Sequence, residues 1–414
     1  MFLKNYQHLK KKEIFTVVFL LLISFFARIP IIIIFGDENI DHEWDSLVYN
    51  LINNGKLVWQ TFDNGFLLPN SWMPPLYAYY LYFFSIFGLD NQNYIFLVLY
   101  SQALIAALSI ILFYQLNKLF FSKKTSFYSA VVFSLFPLYL YACTQISSIS
   151  LQVFLTVAFL YLFFLTKRNF FFYYIVLFSF TSGLLILLRG EFWFIYLLSI
   201  IYLYLFLKIP LKKILLIFLI TAITISPYLI RNFLIFEKVT VINSFGYNFW
   251  KGSHPYAIKN KIVAGSTLTN VDLMKKLDSI KIDKFYRAHW DKVFLNEALK
   301  NIKSDPVAHF IFYINKAISF VLIDFKSSDP KYWHPLHYIP LLLFGAGSIL
   351  GFILSNKKSK ELNYLIFIFF INIAIFSTVS ILPRYKLVIL PIQIIFTIVL
   401  FEFFRKKIKP KKDY

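Results

Sequence analysis

Six carboxylates stand close together early in the chain: Asp37, Glu38, Asp41, Glu43, Asp45 and Asp63, with one basic residue, Lys56, among them. The whole chain of 414 residues holds only 21 acids, so this is a concentration. Carboxylates gathered this way suit general-base work or the ligation of a divalent cation. Asp45 is the first candidate for a base, with Glu38 or Asp37 the next choice. Asp41, His42 and Glu43 are candidate metal ligands, although their spacing matches no specific metal pattern. The alternative is a loop kept free of positive charge by membrane topology, its acids solvated and His42 a surface histidine. Aromatic residues interleave with the acids. Trp44, Tyr49 and Trp72 are candidates to stack on a ligand or line its groove, or else to anchor the chain at a membrane interface.

Cations facing such acids would equip the same place to hold a phosphate. Arg189 lies in Leu188-Arg189-Gly190-Glu191, a turn that needs no charge. Arg231 ends an apolar stretch at Pro227-Tyr228-Leu229-Ile230-Arg231-Asn232, and Arg384 opens another at Leu382-Pro383-Arg384-Tyr385. The planar fork of arginine gives phosphate two parallel charge-assisted bonds. Lys251 and His254, in Trp250-Lys251-Gly252-Ser253-His254-Pro255, are further candidates. Arg28 falls inside an apolar run, where a charge is expensive and tends to be paired or functional. Against these readings stand a hairpin ion pair of Arg189 with Glu191, and interface anchoring for the other arginines.

Apolar elements must position these residues. Hydrophobic residues make up 59% of the chain and charged ones 15%, against about 25% charged in soluble domains. A helix crosses a bilayer with roughly 20 mostly apolar residues. Ten stretches fit: 14–35, 93–116, 125–143, 147–166, 170–188, 191–207, 213–230, 338–355, 362–381 and 385–404. The formal charge of +21 would suggest nucleic acid in a soluble protein. Here 21 of the 42 Lys and Arg residues fall in short connections on one side of the spans, which marks that side as cytoplasmic and removes nucleic acid from the partners. Both termini are then expected in the cytoplasm. A further apolar run, 308–325, would put basic connections on the wrong side if it crossed. It is expected to lie in or dip into the outer interface, with Lys316 and Lys326 snorkelling; a true span with a hidden partner is the alternative. The single cysteine, Cys143, excludes an intrachain disulfide framework and a cysteine-based zinc site.

The organisation expected is all-α and polytopic. Residues 1–230 form an N-terminal transmembrane module whose first outer loop is 36–92. Residues 231–337 form an extracytoplasmic segment with amphipathic helices, and 338–414 carry the last spans and a basic tail. Within the first loop, Leu76 to Gly88 suits an interfacial helix.

Five short motifs occur in an order that resembles the GT-C superfamily of integral-membrane glycosyltransferases, of the bacterial family 39 type that includes protein O-mannosyltransferases and the aminoarabinose transferases of lipid A. They are Asp45-Ser46-Leu47-Val48-Tyr49 with Gly55; Pro74-Pro75-Leu76-Tyr77 through Phe87-Gly88; and Pro227 to Asn232 followed by Asn248 to Pro255. The last two are Tyr286 to Lys316, through Ala298 and Pro306, and Arg384-Tyr385 with Pro391. The chain departs from the pattern at Thr144-Gln145-Ile146-Ser147-Ser148-Ile149, where many relatives carry a Glu. The family's second acid is also ambiguous here, because Asp37, Glu38, Asp41 and Glu43 all compete for it.

The resemblance implies a GT-C-type bundle of about 10–11 membrane helices with an outer cap. It also implies a polyprenyl-phosphate sugar as donor, a lipid, glycan or protein as acceptor, and a site on the outer face of the cytoplasmic membrane. Arg231 and Arg384 would stabilise the departing phosphate and a loop carboxylate would take the acceptor's proton, inverting the anomeric centre. Some members of the group need a divalent metal and others none, so no cofactor is assigned. A flippase or exporter of lipid-linked glycans, or an enzyme of the O-antigen ligase or polymerase type, is the competing class. A transporter should carry ionisable residues near mid-membrane, whereas the spans between 93 and 230 are almost uncharged.

Overall fold

A computed structural model describes residues 2–40, 42–168, 171–354 and 359–408. The chain is a helical membrane bundle. Helix α1 (Phe2–Phe35) leads into the first loop, which holds α2 (His42–Asn54), strands β1 (Val58–Thr61) and β2 (Leu67–Pro69), and α3 (Pro75–Ser85). The two strands pair antiparallel, with Thr61 opposite Leu67. Then come α4 (Asn91–Asn117), α5 (Lys123–Ser134), α6 (Pro137–Ala142) and α7 (Ile149–Arg168). The module ends with α8 (Phe172–Leu188), α9 (Phe192–Leu205) and α10 (Leu211–Phe236). The second loop contains α11 (Phe245–Gly252), α12 (Pro255–Asn260), α13 (Val271–Asp278), α14 (Tyr286–Ser304) and α15 (Pro306–Val321). Helices α16 (Pro335–Leu354), α17 (Lys360–Phe376) and α18 (Leu390–Ile408) complete the chain.

Each of the ten expected spans contains α-helix among the described residues, although α17 stops at Phe376, short of the expected 381, and five helices there are each long and apolar enough to cross a membrane unaided. The span expected at 125–143 is two helices. Pro137 fixes its own φ and pushes Phe136 into extended backbone (ψ 119°), so α5 stops and α6 starts afresh at Pro137. The last span begins with a 3-10 turn, Pro383–Val388, instead of α-helix. Caps set other starts: Asp90 accepts from Asn93 N at 2.8 Å, and Ser359 accepts from Leu362 N at 3.2 Å.

Polar ties fix the direction of the helices. The start of α1 and the end of α4 meet in an ion pair of Glu13 with Lys118. Thr125 at the start of α5 donates to Glu402 near the end of α18 at 3.2 Å. Lys167 at the end of α7 pairs with Glu361 at the start of α17. One end of the bundle therefore gathers these lysine-rich connections, and the two long loops gather at the other, called here the loop face. Near the lysine-rich end α16 and α18 pack so closely that a Cβ on Gly351 would lie 1.9 Å from the Phe396 carbonyl oxygen.

Helix α15 covers residues 308–321 of the apolar run 308–325, and its start touches the loop face. His309 Nε2 lies 3.1 Å from the Ser253 carbonyl, and the Leu322 carbonyl accepts from Lys386 Nζ at 2.8 Å. Lys316 is buried and donates to the carbonyls of Gly252 (2.8 Å) and Val379 (3.2 Å). Its C-terminal half packs on α16 and α17, and the Val321 carbonyl accepts from Gln393 Nε2 of α18 at 2.8 Å. Lys316 is therefore not the snorkelling lysine expected from the sequence, because backbone carbonyls satisfy its ammonium inside the bundle.

Candidate functional site

Helix α1 ends against the connection between α6 and α7, and there Asp37 is held twice. Its amide donates to the Thr144 carbonyl at 2.8 Å, and its carboxylate Oδ2 accepts from the Ile146 amide at 2.7 Å. The connection is braced from behind. Gln102 Nε2 donates to the Gln145 carbonyl at 3.0 Å, and Gln102 Oε1 accepts from the Tyr77 hydroxyl at 2.8 Å. Two and a half turns before Asp37, the fully buried Arg28 donates from Nε to Cys143 Sγ at 3.3 Å and from Nη1 to Ser24 Oγ at 2.7 Å. Its guanidinium also lies 4.9 Å from the Tyr139 ring centre. So α1 is tied to the same connection at two heights.

Six residues beyond Ile146, Gln152 on the first turn of α7 accepts from Arg189 Nε at 2.8 Å. Arg189 caps α8 in extended backbone, and its guanidinium stands 5.9 Å from the Tyr385 ring. Arg384 stands 6.0 Å from the same ring. Two arginines from distant parts of the sequence thus flank one tyrosine. Lys251, half-buried at the end of α11, lies close enough to Arg384 and Glu43 to feel both charges. Burial lowers its pKa most, Arg384 lowers it further, and Glu43 opposes the shift. Arg189, Arg384 and Lys251 form a cationic patch with Glu43 beside it.

Arg231 is placed differently. At the end of α10 its Nη1 donates to the Asn70 carbonyl (2.6 Å) and to Asn232 Oδ1 (2.7 Å), while Nη2 donates to the Leu57 carbonyl (3.0 Å). It clamps both ends of the first-loop hairpin onto α10. The structure does not bring it onto the Tyr385 ring with the other arginines.

The remaining candidates scatter over the loop face. Glu38 is exposed. Asp45 and Tyr49 are exposed on α2 and line an open cleft with Trp59 and Thr61. Trp44 is buried edge-on against Tyr77, with ring centres 4.8 Å apart. Trp72 is buried between Tyr247 and Trp290. His254 caps α12, its Nδ1 accepting from the Tyr256 amide at 3.1 Å. Asp41 and the His42 side chain lie outside the described residues. Among the described residues no three His, Cys, Asp or Glu side chains gather to hold a metal ion.

Over the site sits the second loop. Gly252 lets α11 rest directly on the backbone of Val379 and Ser380, where a Cβ would fall 2.4 and 2.5 Å from main-chain atoms. Ile381 N donates to the Val263 carbonyl at 2.8 Å. Asp291 on α14 accepts from the Tyr247 amide at 2.9 Å, and burial raises its pKa against that bond. Arg287 was not among the sequence candidates. It lies 5.3 Å from Trp59, 5.3 Å from Trp72 and 4.9 Å from Trp290, and so joins the two loops. Its position between Tyr286 and Trp290 was the available signal. Tyr385 was in view only as the neighbour of Arg384 in the closing motif, and Gln152 gave no signal.

No protein-family model matches the chain, and no curated protein matches it in sequence. In structure it is similar to the oligosaccharyltransferase of Archaeoglobus fulgidus. The apo form shares 14% identity with a TM-score of 0.55, over 94% of this chain and 51% of that one. The same enzyme tethered to an acceptor peptide with the NVT sequon gives 13% and 0.52, over 98% and 50%. ArnT from Cupriavidus metallidurans, bound to undecaprenyl phosphate, gives 12% and 0.42, over 94% and 76%. The chain spans about half the length of the archaeal enzyme, and what the two share is the fold.

Proposed function

From a chain with the GT-C-type membrane fold, we propose a glycosyltransferase that moves a sugar from a polyprenyl-phosphate donor to an acceptor at the loop face. The reading takes the loop face as extracytoplasmic, the membrane as the cytoplasmic one, and both termini as cytoplasmic, in line with the lysine distribution. What supports it is a fixed carboxylate, Asp37, on the connection that leads into α7, and Arg189, bound to Gln152 on the first turn of α7, which shares the Tyr385 ring with Arg384.

The chemistry follows from the groups. An acceptor heteroatom attacks the anomeric carbon while the bond from that carbon to the phosphate oxygen breaks. Asp37 takes the acceptor's proton, and the polyprenyl phosphate leaves with the bonding electrons. Arg189 and Arg384, with Lys251 nearby, stabilise the charge that appears on it. A single displacement inverts the anomeric centre. Among the acids, Asp37 suits the base because two backbone bonds fix it, whereas Glu38 and Asp45 are exposed. Arg231 serves this site by holding the first loop in place.

The test is transfer by the full chain in lipid nanodiscs, with radiolabelled undecaprenyl-phosphate sugars as donors and extracted envelope lipids and glycans as acceptors. Transfer that D37N and R384A each lower by about a hundredfold or more is expected. Lipid scrambling without transfer from any donor would replace the enzyme reading by a transporter.

A further inference from the structure

An open cleft of about 430 Å³ lies between α2 and β1, apart from the cationic patch. Asp45 and Tyr49 come from one face of α2, a single turn apart; Trp59, Gln60 and Thr61 come from β1. Helical periodicity puts Glu43, the acid beside Lys251, on the opposite face of α2. The cleft and the patch therefore stand on two sides of one helix.

The walls are built, not loose. Ser46 Oγ donates to the Trp59 carbonyl at 2.7 Å, joining helix to strand, and Asn50 Nδ2 donates to the Ser46 carbonyl at 2.8 Å. Behind the strand, Arg287 packs on Trp59 and Trp72, and its Nη2 reaches Gln60 Oε1 at 3.5 Å. That contact uses one of the two lone pairs on Gln60 Oε1, so the Gln60 amide brings both donors and a remaining acceptor to the wall of the cleft. No described residue makes a hydrogen bond or ion pair with the Asp45 side chain, so its carboxylate oxygens remain as acceptors at the cleft. The Tyr49 side chain is a large exposed aromatic, with 62% of the residue accessible.

These groups select a ligand class. A phosphate or other anion would meet Asp45 with Arg287 turned into the tryptophans. A metal ion would find one carboxylate. An apolar ligand would strip water from Asp45, Gln60 and Thr61. A neutral polyhydroxylated ring fits each wall: hydroxyls donate to Asp45 and accept from Gln60, while its C–H face lies on Tyr49. We propose that the cleft is a saccharide subsite that holds a non-reacting unit of the acceptor. The acceptor role rests on the transferase reading and makes the acceptor a glycan of several sugars; the binding of sugar does not depend on it.

The experiment is saturation-transfer NMR on the full chain in nanodiscs, with short soluble oligosaccharides of glucose, galactose, mannose and N-acetylglucosamine as probes. At least one is expected to bind saturably to the wild type and equally to D37N, which has lost transfer. Y49A and D45N, both exposed substitutions, should each weaken that binding about tenfold while the melting temperature holds. No saturable signal from any probe overturns the subsite, as does binding that both variants retain in full. Saturable binding that these variants weaken, in a protein that transfers nothing, would support the subsite and sink only the transferase reading.

Discussion

Asp37 and Ile146 are 109 positions apart in sequence and are joined by a 2.7 Å hydrogen bond from the Ile146 amide to the Asp37 carboxylate. A second bond, from the Asp37 amide to the Thr144 carbonyl, anchors the main chain of Asp37 to the same connection. Arg28 repeats the tie lower on α1 through Cys143. The end of the first helix and the α6–α7 connection thus behave as one rigid edge of the loop face.

Replacing Asp37 by Asn keeps the shape of the side chain and removes its basicity. Transfer should fall about 10²–10⁴-fold, the usual contribution of a positioned general base. The measurement is initial-rate transfer with the undecaprenyl-phosphate donor. Near wild-type turnover in D37N would take Asp37 out of the chemistry.

The two arginines on Tyr385 predict a shared effect. R384A should lower turnover about 10²–10³-fold, the cost of losing one preorganised charge at a developing anion. R189A should do the same in kind. The double variant should lose less than the product of the two, because both charges act on one phosphate. Strict multiplicativity in a double-mutant cycle would show that they serve separate ligands.

Arg231 makes the opposite kind of prediction. Removing its guanidinium leaves the Asn70 and Leu57 carbonyls without their charge-assisted donor, at a cost of roughly 2–4 kcal/mol. R231A should therefore melt earlier and expose the first-loop hairpin to trypsin. R231K should not restore it, since a single ammonium cannot span both carbonyls. A fully stable R231A that binds donor poorly would return Arg231 to the phosphate.

The apolar helices, and the gathering of lysine-bearing connections at one end of the bundle, were legible because apolar length and lysine placement are local properties of the chain. The break at Phe136–Pro137 was missed, because the apolar run continues across it and hydrophobic length alone reads 125–143 as one span. Which cations meet was not legible either: Arg189 and Arg384 looked alike with Arg231 in sequence, each at a span end, and only packing puts two on Tyr385 and the third on backbone carbonyls. Trp44 and Trp72 followed the same logic, since an aromatic in a polar loop reads equally as a ligand platform or as the loop's own core.

The seat of the second loop is tested at Gly252. An added methyl would meet Val379 and Ser380 main chain, which cannot rotate away, so α11 must lift. G252A should destabilise the cap by about 1–3 kcal/mol and loosen Lys251, carried by the same helix. Faster hydrogen exchange confined to 245–268 and 376–382 is the expected readout. Unchanged exchange in both segments would mean that the close approach carries no weight.

His254 ties the cap to pH. Burial lowers its pKa from the usual histidine value of 6.5, with the Leu268 backbone and the Glu297 charge acting the other way. Its Nδ1 is an acceptor for the Tyr256 amide, a role open only to the neutral ring. The folded protein therefore binds this proton less readily than the unfolded chain. Its contribution to stability is complete above about pH 6.5 and is lost as the pH falls below that value toward the lower folded pKa. Thermal melting should show a downward slope over that interval. H254N keeps a side-chain acceptor at the start of α12 but does not titrate, so its slope should be flatter. An identical slope in the variant would assign the acid sensitivity to another group.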